Sequence, residues 1–377
     1  MQKKVIALAI MTAASAPAFA DSGNVTIYGR VDMAYTSTDS GSSAGADGNR
    51  TSQVSSQATR LGFKGEEKIG DSLSLVWQIE TQINLDDEAG NTLASRNSFL
   101  GLKSAGMGTV LLGRHDTPYK LATRGLDLFA DSIADNRTLM GGGAGRAAAG
   151  LHDARPDNIV AWLSPDWSGF GIRLGYVAGG EFATLGTDVE GRAISADLSY
   201  KSGPFNAALA YQTIKYGSCA TGVCTFTNPL AGEKAAAWKL GAGYKIGLSE
   251  DSNIQLNGVY ERTSDSLSVT GDDNFGRTNY YLAGAYNFGN NAIKLAYTRA
   301  GNQAGAGALD YAARQWAIGY DHALSKRTKL YAIYTKVSNS DDAAYLIATS
   351  GSTAGGFALP GAGADPSALS IGVRHEF

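Results

Sequence analysis

The sequence is poor in the residues on which most enzymes and disulfide-rich proteins depend: its 377 residues include 8 prolines, 4 histidines and 2 cysteines. Two cysteines are too few for a disulfide scaffold. No apolar run in the body of the chain reaches about 18 residues, which excludes a transmembrane helix. A formal net charge of −3 argues against nucleic acid as a partner, because nucleic-acid binders present a basic face. No catalytic motif surrounds any of the four histidines, which are His115, His152, His322 and His375.

The first twenty residues have the pattern of a secretory signal peptide. Lys3 and Lys4 precede the seven-residue apolar stretch Val5–Met11, and Ala18-Phe19-Ala20 supplies the small residues of a cleavage site before Asp21. The alternative interpretation is a buried N-terminal helix. We predict that residues 1–20 are a signal peptide and that residues 21–377 form one mature domain, slightly more acidic than the whole chain.

The two cysteines, Cys219 and Cys224, lie close together in the segment GSCATGVCTF. An exported chain enters an oxidising compartment, where such a pair closes a small disulfide loop. A metal site would need more ligands, and no histidine or acidic residue lies between the two cysteines. We therefore predict a disulfide here, and neither a metal nor another cofactor.

Glycine and tyrosine are abundant instead, with 48 and 18 residues, and they recur in short segments of alternating polarity. Alternation of this kind predicts strands with one apolar and one polar face. Most segments have the length of a tilted membrane-spanning strand, about 9–11 residues. The sixteen predicted strands are Val25–Tyr35, Thr59–Ile69, Ser72–Ile83, Asn97–Lys103, Thr109–Arg114, Asn158–Leu163, Gly171–Val177, Ala193–Lys201, Phe205–Thr213, Ala236–Ile246, Asn253–Arg262, Thr278–Phe288, Ala292–Arg299, Gln315–His322, Thr328–Val337 and Ala368–Phe377.

Short and long connections alternate along the chain. Segments such as SGP and GNN join some strands, whereas Thr36–Ala58, His115–Asp157 and others are long. Four of the short turns follow a tyrosine, at Tyr200, Tyr244, Tyr286 and Tyr320. Short turns at one end, long loops at the other and an aromatic girdle are typical of a transmembrane β-barrel, and a soluble β-sandwich needs none of them.

The alternation also predicts which side chains face lipid. In TIYGRVDM the apolar residues share one parity, while Arg30 and Asp32 share the other; in TRLGFKGE the same holds for Arg60 and Lys64. A charge facing lipid at the bilayer midplane costs about 2–4 kcal/mol. The polar faces must therefore line a wet interior, as in a water-filled barrel of about 16–18 strands. The last segment, LSIGVRHEF, alternates up to Phe377, as expected of a final strand that closes the barrel against the first.

Four blocks of the sequence are similar to those of Gram-negative general porins, in particular the betaproteobacterial and neisserial type. They are ADSGNVTIYGRVDMAY, TRLGFKGEEKIGDSLSLVWQIE, SRNSFLGLKSAGMGTVLLGRHDTP and the final GVRHEF. The resemblance covers essentially the whole chain. It implies a homotrimer of sixteen-stranded antiparallel barrels in the outer membrane, surrounded by lipids that include lipopolysaccharide. It also implies that Phe377 is an assembly signal for the barrel-assembly machinery.

In this family the third long loop folds into the barrel and places acids opposite wall arginines. The corresponding segment here is His115–Asp157, with aspartates at four-residue spacing in RGLDLFADSIADNR. On a short helix, Asp127, Asp131 and Asp135 would share one face; the alternative is a solvated face on an outer loop. We predict Asp127 and Asp131 as the acidic side of the constriction. The predicted basic side consists of Arg30, Arg60, Lys64 and Arg114, although parity does not decide which way Arg114 points.

The predicted function is passive diffusion of ions and small hydrophilic solutes, without an enzymatic step. Charges facing each other across a narrow aqueous gap order water and set selectivity. The alternatives are a substrate-specific outer-membrane channel and a non-conducting barrel adhesin. A plugged transporter, which needs a folded N-terminal plug, is disfavoured, because the first predicted strand begins at Val25, about five residues after the predicted cleavage site. The preference between anions and cations is left open, because the wall candidates are basic and the mature chain is acidic.

Overall fold

The computed structural model describes residues 25–43, 47–86, 92–141, 152–179, 191–217, 234–265, 273, 275–347 and 361–377. The predicted signal peptide, the cysteine pair Cys219 and Cys224, and residues 142–150 of the glycine-rich segment that begins at Gly141 lie outside these residues. Those predictions stay predictions.

Seventeen strand segments and one α-helix make up the regular structure of the described residues. The strands are β1 (Thr26–Asp39), β2 (Arg50–Ser56), β3 (Arg60–Lys68), β4 (Leu73–Gln82), β5 (Ser98–Ser104), β6 (Gly108–Arg114), β7 (Ile159–Leu163), β8 (Phe170–Val177), β9 (Arg192–Ser202), β10 (Phe205–Lys215), β11 (Lys234–Ser249), β12 (Ser252–Asp265), β13 (Thr278–Phe288), β14 (Asn291–Ala300), β15 (Ala313–Ala323), β16 (Thr328–Asn339) and β17 (Ser367–Glu376). The helix α1 spans Pro118–Arg124, and a 3-10 turn spans Asn136–Thr138. None of the described helical segments is long and apolar enough to cross a membrane.

The strands form one closed antiparallel sheet. Each strand pairs with its neighbours in the chain, and β17 returns to pair with β1 from Arg30 opposite Glu376 to Asp39 opposite Ser367. Segments β2 and β3 both pair with β1 and are consecutive parts of one barrel strand. The seventeen segments therefore make sixteen strands, and the predicted sixteen-stranded antiparallel barrel is confirmed.

A bulge separates β2 from β3, and the observed strands shorten one predicted loop. Between the pairs Met33–Ser56 and Arg30–Arg60, β1 has two residues and its partner has three, and Ala58 adopts a φ of +51°. The predicted loop Thr36–Ala58 was too long, because β1 continues to Asp39 and β2 begins at Arg50. The residues of β2 are almost all polar, so their alternation gives no signal, yet their backbones still pair.

The two faces of the barrel follow the predicted parity. On the outer face, Ile27 and Ile371 are 59% and 56% exposed, whereas Asp32 and Lys239 on the inner face are 0% and 2% exposed. Tyr244, Tyr286 and Tyr320 lie on the outer face at the ends that carry the short turns. A second set of outer-face rings, here called the outer aromatic belt, lies toward the long loops on β11–β15: Trp238, Tyr260, Tyr280, Tyr297 and Trp316.

The seam between the last and first strands is closed around Gly29. Its N–H donates to the Phe377 carbonyl at 3.0 Å, and the Phe377 N–H donates to the Gly29 carbonyl at 3.1 Å. A Cβ atom at position 29 would lie 2.5 Å from the Arg60 backbone oxygen and 2.7 Å from the Phe377 ring. The absence of a side chain at Gly29 therefore allows the Phe377 ring to lie against the seam.

We expect Gly29→Ala to weaken closure of the barrel, because the added methyl group meets backbone that cannot move away. Overpacking of this kind costs about 1–3 kcal/mol. The measurement is the temperature at which the folded, fast-migrating band is lost in unheated-versus-heated gel electrophoresis. The matched control is Gly247→Ala, whose Cβ would meet nothing within 4 Å. Equal transition temperatures for the two variants would contradict this account of the seam.

Candidate functional site

The described residues of the loop between β6 and β7, 115–141 and 152–158, lie inside the barrel and are called the inner loop below. Its helix α1 begins after the N-cap Thr117, whose side chain accepts from the Lys120 N–H, with Pro118 in the first turn. The Tyr119 N–H donates to the Ser195 hydroxyl at 2.9 Å, which fixes α1 against the inner face of β9. The chain then follows the wall: the Leu128 N–H donates to the Tyr281 hydroxyl at 2.9 Å on β13.

Apolar packing holds the middle of the inner loop. Leu126, Phe129 and Ile133 are buried in one cluster with small wall residues such as Ala283 and Ala317. Small side chains on the inner face leave room for this segment of the loop. Helix α1 contacts the wall from β8 to β11.

Asp131 is the point at which the loop meets the wall arginines. Its Oδ2 lies 3.0 Å from Arg30 Nη1 and 3.2 Å from Arg60 Nη1, while its Oδ1 lies 2.5 Å from Arg124 Nη2. Asp131, which was predicted to face the wall arginines across a gap, is thus in direct contact with two of them, and its role in a constriction stays a prediction. The groups touch, so the aqueous gap that was expected between acids and arginines does not lie at this point.

Burial and charge act in opposite directions on Asp131. Burial raises the pKa of the carboxyl, but the charges of Arg124, Arg60 and Arg30 outweigh burial and hold the pKa well below its usual range. Asp131 is therefore ionised at neutral pH. Its main chain is also unusual, with a φ of +60°.

The three aspartates converge without the predicted helix. Helix α1 ends at Arg124, before the first of them, and Asp127, Asp131 and Asp135 all lie outside it. They nevertheless meet at the Arg124 guanidinium, with nearest N–O distances of 3.6, 2.5 and 2.8 Å respectively. The prediction that the spacing brings them together was right, and the predicted helical cause was wrong.

Asp127 lies behind Asp131 and not on the open surface. Its side chain is 1% exposed, and it accepts hydrogen bonds from the Tyr281 hydroxyl at 3.0 Å and the Asn136 N–H at 3.0 Å. Burial and the charge of Asp135 raise the pKa of Asp127 to about 6, against the attraction of Arg124. Its geometry suits a residue that shapes the loop, and its predicted place on the acidic face stays a prediction.

Two of the four predicted basic residues lie away from Asp131. Lys64 extends from the inner face of β3, with its ammonium 5.1 Å from the centre of the Tyr28 ring. Arg114 pairs with Ser98 in the sheet, on the parity of the exposed Leu112, and its guanidinium binds Asp157 at 2.6 Å and the Ser95 carbonyl at 3.1 Å. The structure therefore corrects the placement of Arg114, whose parity was ambiguous because Val110 and Leu111 occupy both faces.

The site includes three further arginines, which sequence reasoning missed. Arg124 and Arg137 belong to the inner loop itself, where no periodicity signals direction. Arg137 lies 2.9 Å from Asp135, and Arg374 on β17 donates to the Asp131 carbonyl at 3.4 Å. Arg374 could have been found, because it has the polar parity of the final strand.

An open volume of about 510 Å³ lies along β3 to β7, beside the inner loop. Its lining combines apolar residues, such as Phe99 and Leu111, with Lys64, Lys103 and one carboxylate, Glu66, which binds Lys103 at 2.9 Å. His115 of the inner loop also lines it.

Buried contacts fix two points of the inner loop to one wall residue, Glu261 on β12. The Tyr119 hydroxyl donates to Glu261 Oε2 at 2.8 Å, and the Gly141 N–H donates to Oε1 at 2.8 Å. Asn279 donates to the same Oε1 at 2.7 Å. Beside them, Lys239 binds Asp153 at 2.7 Å and lies 4.0 Å from the centre of the Tyr119 ring. Glu261 thus joins the start of the loop to its middle.

Comparison with known proteins agrees with this architecture. A sequence model of Gram-negative porins matches residues 7–342. Outer membrane porin protein 32 of Delftia acidovorans is 32% identical over 387 residues, covering 100% of both chains, and major outer membrane protein P.IB of Neisseria gonorrhoeae is 25% identical, covering 87% of this chain and 91% of its own. The solved anion-selective porin from Comamonas acidovorans superposes with a TM-score of 0.71 at 26% identity, covering 94% of this chain and 100% of that one.

We expect Tyr119→Phe to loosen the inner loop, because Glu261 loses a donor. A hydrogen bond to a charged group contributes about 1.5–3 kcal/mol. The measurement is single-channel current in a planar bilayer, where the variant should show more frequent transitions between current levels than the wild type. The matched control is Tyr35→Phe, a tyrosine 57% exposed on the outer face. Current traces for Tyr119→Phe that cannot be told from those of the wild type would contradict the role of Glu261.

Proposed function

This chain belongs to the family of Gram-negative porins and is an outer-membrane diffusion channel, and we propose that it conducts small anions in preference to cations. The constriction in this proposal is the arginine cluster around Asp131. Permeation is passive and includes no chemical step.

The observation that carries the proposal is the excess of positive charge on the inner face of the barrel. Lys64, Lys201 and Lys245 have the inward parity, and none of the carboxylates in the described residues pairs with them. Elsewhere two cations share one acid. Lys294 and Lys329 lie 3.0 and 2.7 Å from Asp321.

The inner loop repeats this arrangement near its ends. Lys120 and Arg155 lie 2.7 and 3.0 Å from the same carboxylate, Asp116. Burial raises the pKa of Asp116, but the charges of Lys120 and Arg155 bring it well below its usual range. Asp116 is therefore ionised. Each set of two cations and one carboxylate, around Asp116 and around Asp321, keeps one positive charge in excess. Low-dielectric walls strengthen the field of these charges within the pore.

At the proposed constriction three of the four arginines are more exposed than any of the acids. Asp127, Asp135 and Asp131 are 1%, 8% and 17% exposed, whereas Arg30 is 13% exposed and Arg60, Arg124 and Arg137 are 21%, 21% and 24% exposed. A permeating anion would meet guanidinium edges, with Asp131 among them and Asp127 and Asp135 behind them. The anion selectivity of the Comamonas acidovorans porin supports the same assignment for this chain.

We also propose that the chain assembles as a homotrimer in which each barrel conducts separately. A solved structure of OmpT from Vibrio cholerae, which has the same fold, is a trimer form. Recognition of Phe377 by the barrel-assembly machinery belongs to this proposal as well. It is supported by the outer-face position of the ring at the short-turn end of the seam, 44% exposed.

The test is the reversal potential of the refolded protein in a planar bilayer under a tenfold gradient of potassium chloride. The proposal predicts the sign of a chloride-selective pore for the wild type. Lys64→Glu should lower the ratio of chloride to potassium permeability about threefold, because the pore wall changes by two charges close to the passage. The control is Lys326→Glu, an exposed lysine in the short turn between β15 and β16.

A potential of the opposite sign in the wild type would contradict anion preference. The absence of current from a folded, heat-modifiable protein would contradict the channel itself and favour a non-conducting barrel. An effect of Lys326→Glu equal to that of Lys64→Glu would show that general surface charge, and not the lumen wall, sets the ratio.

A further inference from the structure

The inner face of β4 to β7 carries apolar side chains, which a water-filled lumen does not need. Val76, Phe99, Leu111 and Leu163 all have inward parity and line the open volume of about 510 Å³, which is called the side pocket below. Leu111 is buried, whereas Val76, Phe99 and Leu163 are only half-buried. Apolar surface left in water is unfavourable, so an apolar group that covers this patch is stabilised there.

Other apolar parts of the inner face are covered by the protein itself. The inner loop packs apolar residues such as Phe129 against wall residues such as Ala317. In the side pocket, the Phe99 ring meets His115 edge-on, with ring centres 5.4 Å apart. Burial lowers the pKa of His115, so this ring is neutral at neutral pH. The loop therefore contributes an uncharged ring to the pocket and leaves its charge to the wall.

The wall side of the side pocket carries one cation in excess. Lys103 binds both carboxylate oxygens of Glu66, at 3.2 and 2.9 Å, so these two charges balance. Lys64 has no ion pair with any residue that the structure describes, and its ammonium lies 5.1 Å from the centre of the Tyr28 ring. An ammonium binds a carboxylate through short, charge-assisted hydrogen bonds. Lys64 is therefore available to an anionic ligand.

Lys64 and Phe99 lie in one row across three strands. Lys64 is opposite Gln78 on β4, and Gln78 is opposite Phe99 on β5. Neighbouring strands are about 4.8 Å apart, which places the Cα atoms of Lys64 and Phe99 about 10 Å apart. The Gln78 amide donates to the Asn97 carbonyl at 2.9 Å, which turns its side chain toward Asn97. A carboxylate at the ammonium can therefore extend an apolar body toward the Phe99 ring.

The floor of the side pocket is recessed at Gly101. In the next row of the sheet, Gly101 lies between Val76 on β4 and Leu111 on β6. A Cβ atom at position 101 would lie 2.6 Å from the Val110 carbonyl oxygen. The missing side chain leaves a shallow space bordered by Val76 and Phe99, which suits a planar group.

We propose that the side pocket is a binding subsite for small aromatic carboxylates on their way through the pore. The Lys64 ammonium binds the carboxylate, while Val76, Phe99 and Leu163 contact the ring. Small-molecule sites typically enclose about 300–1,000 Å³ and combine an apolar lining with few polar groups. Binding stays weak, because a permeating solute has to leave again. The subsite rests on the proposed passage of solutes through the barrel, but not on its preference for chloride over potassium.

The test compares three probes by the fluctuation of single-channel current in a planar bilayer, with equal potassium chloride on both sides. Benzoate carries a ring and a charge, acetate lacks the ring, and benzyl alcohol lacks the charge. Benzoate should bind the wild-type pore about tenfold more tightly than acetate, because its ring covers apolar surface. Benzyl alcohol should bind at least tenfold more weakly than benzoate, because it offers Lys64 no charge.

Two variants separate the ring contacts from the charge. Phe99→Leu removes the aromatic ring and Val76→Thr removes apolar surface. Each should raise the dissociation constant of benzoate about threefold and leave that of acetate unchanged. Lys64→Gln should weaken the binding of both anions. The matched control is Phe288→Leu, a phenylalanine on the outer face near the short turn after β13, which should keep the wild-type values.

Three outcomes would overturn the proposal. Equal dissociation constants of benzoate and acetate in the wild type would mean that charge alone accounts for binding. Equal binding of benzoate and benzyl alcohol would remove Lys64 from the site. Retention of the wild-type preference by both Phe99→Leu and Val76→Thr would place the ring elsewhere in the pore.

Failure of the subsite is distinguishable from failure of the proposed conduction. The ratio of benzoate to acetate binding does not depend on the sign of the reversal potential, so loss of chloride preference leaves it unchanged. Saturation-transfer NMR of benzoate with the refolded protein in detergent tests the subsite without any current. Transfer to the ring protons should be strong in the wild type and weaker in Val76→Thr, and equal transfer in the two would contradict the proposal.

Discussion

The structure depends on one requirement: backbone N–H and C=O groups inside a lipid bilayer must be hydrogen-bonded within the protein. A sheet meets it only by closing, and here β17 closes onto β1 through an uninterrupted register from Arg30–Glu376 to Asp39–Ser367. Closure then fixes the direction of every side chain along each strand. Ile27 and Ile371 face lipid because Asp32 and Arg374 face the interior, and no strand can slip by one residue without exchanging the two sets.

A closed wall with a polar interior can hold many charges, and their positions decide what passes. Asp131 lies within 3.2 Å of three arginines, two from the wall and one from the inner loop. The carboxylate fixes the loop, while the guanidinium groups stay at the surface of the passage. Behind this cluster Glu261 joins Tyr119 and Gly141, so the loop is fixed at two further points. Polar contacts on a rigid scaffold therefore hold the proposed constriction in place.

The sequence was sufficient to predict the barrel because alternation has a physical cause in every strand that crosses lipid. Strand β2 was missed because it lies where both faces are polar, so that pairing continues without a pattern. Parity correctly predicted that Arg30 and Arg60 lie on the inner face of the barrel. The same reasoning, applied to the final strand, would have predicted that Arg374 lies there too.

Within the inner loop, spacing predicted that Asp127, Asp131 and Asp135 come together, but no sequence rule gives the turns that bring them to Arg124. The direction of the Arg114 side chain could not be predicted, for a different reason. Apolar residues occupy both parities of β6, because its inner face packs Leu111 against Ile159 and Ala161 in a buried cluster. Parity is informative only where one face of a strand is wet.

The most direct test of the account is the single-channel conductance of Asp131→Asn beside the wild type, with Asp71→Asn, an exposed residue in the turn between β3 and β4, as control. Loss of the shared carboxylate leaves Arg30, Arg60 and Arg124 without the charge that draws them together. The account predicts that the loop leaves the wall arginines and that the conductance of Asp131→Asn differs from the wild-type value and spreads over several levels, while Asp71→Asn keeps the wild-type value. A single conductance level for Asp131→Asn, equal to that of the wild type, would contradict the claim that Asp131 holds the constriction.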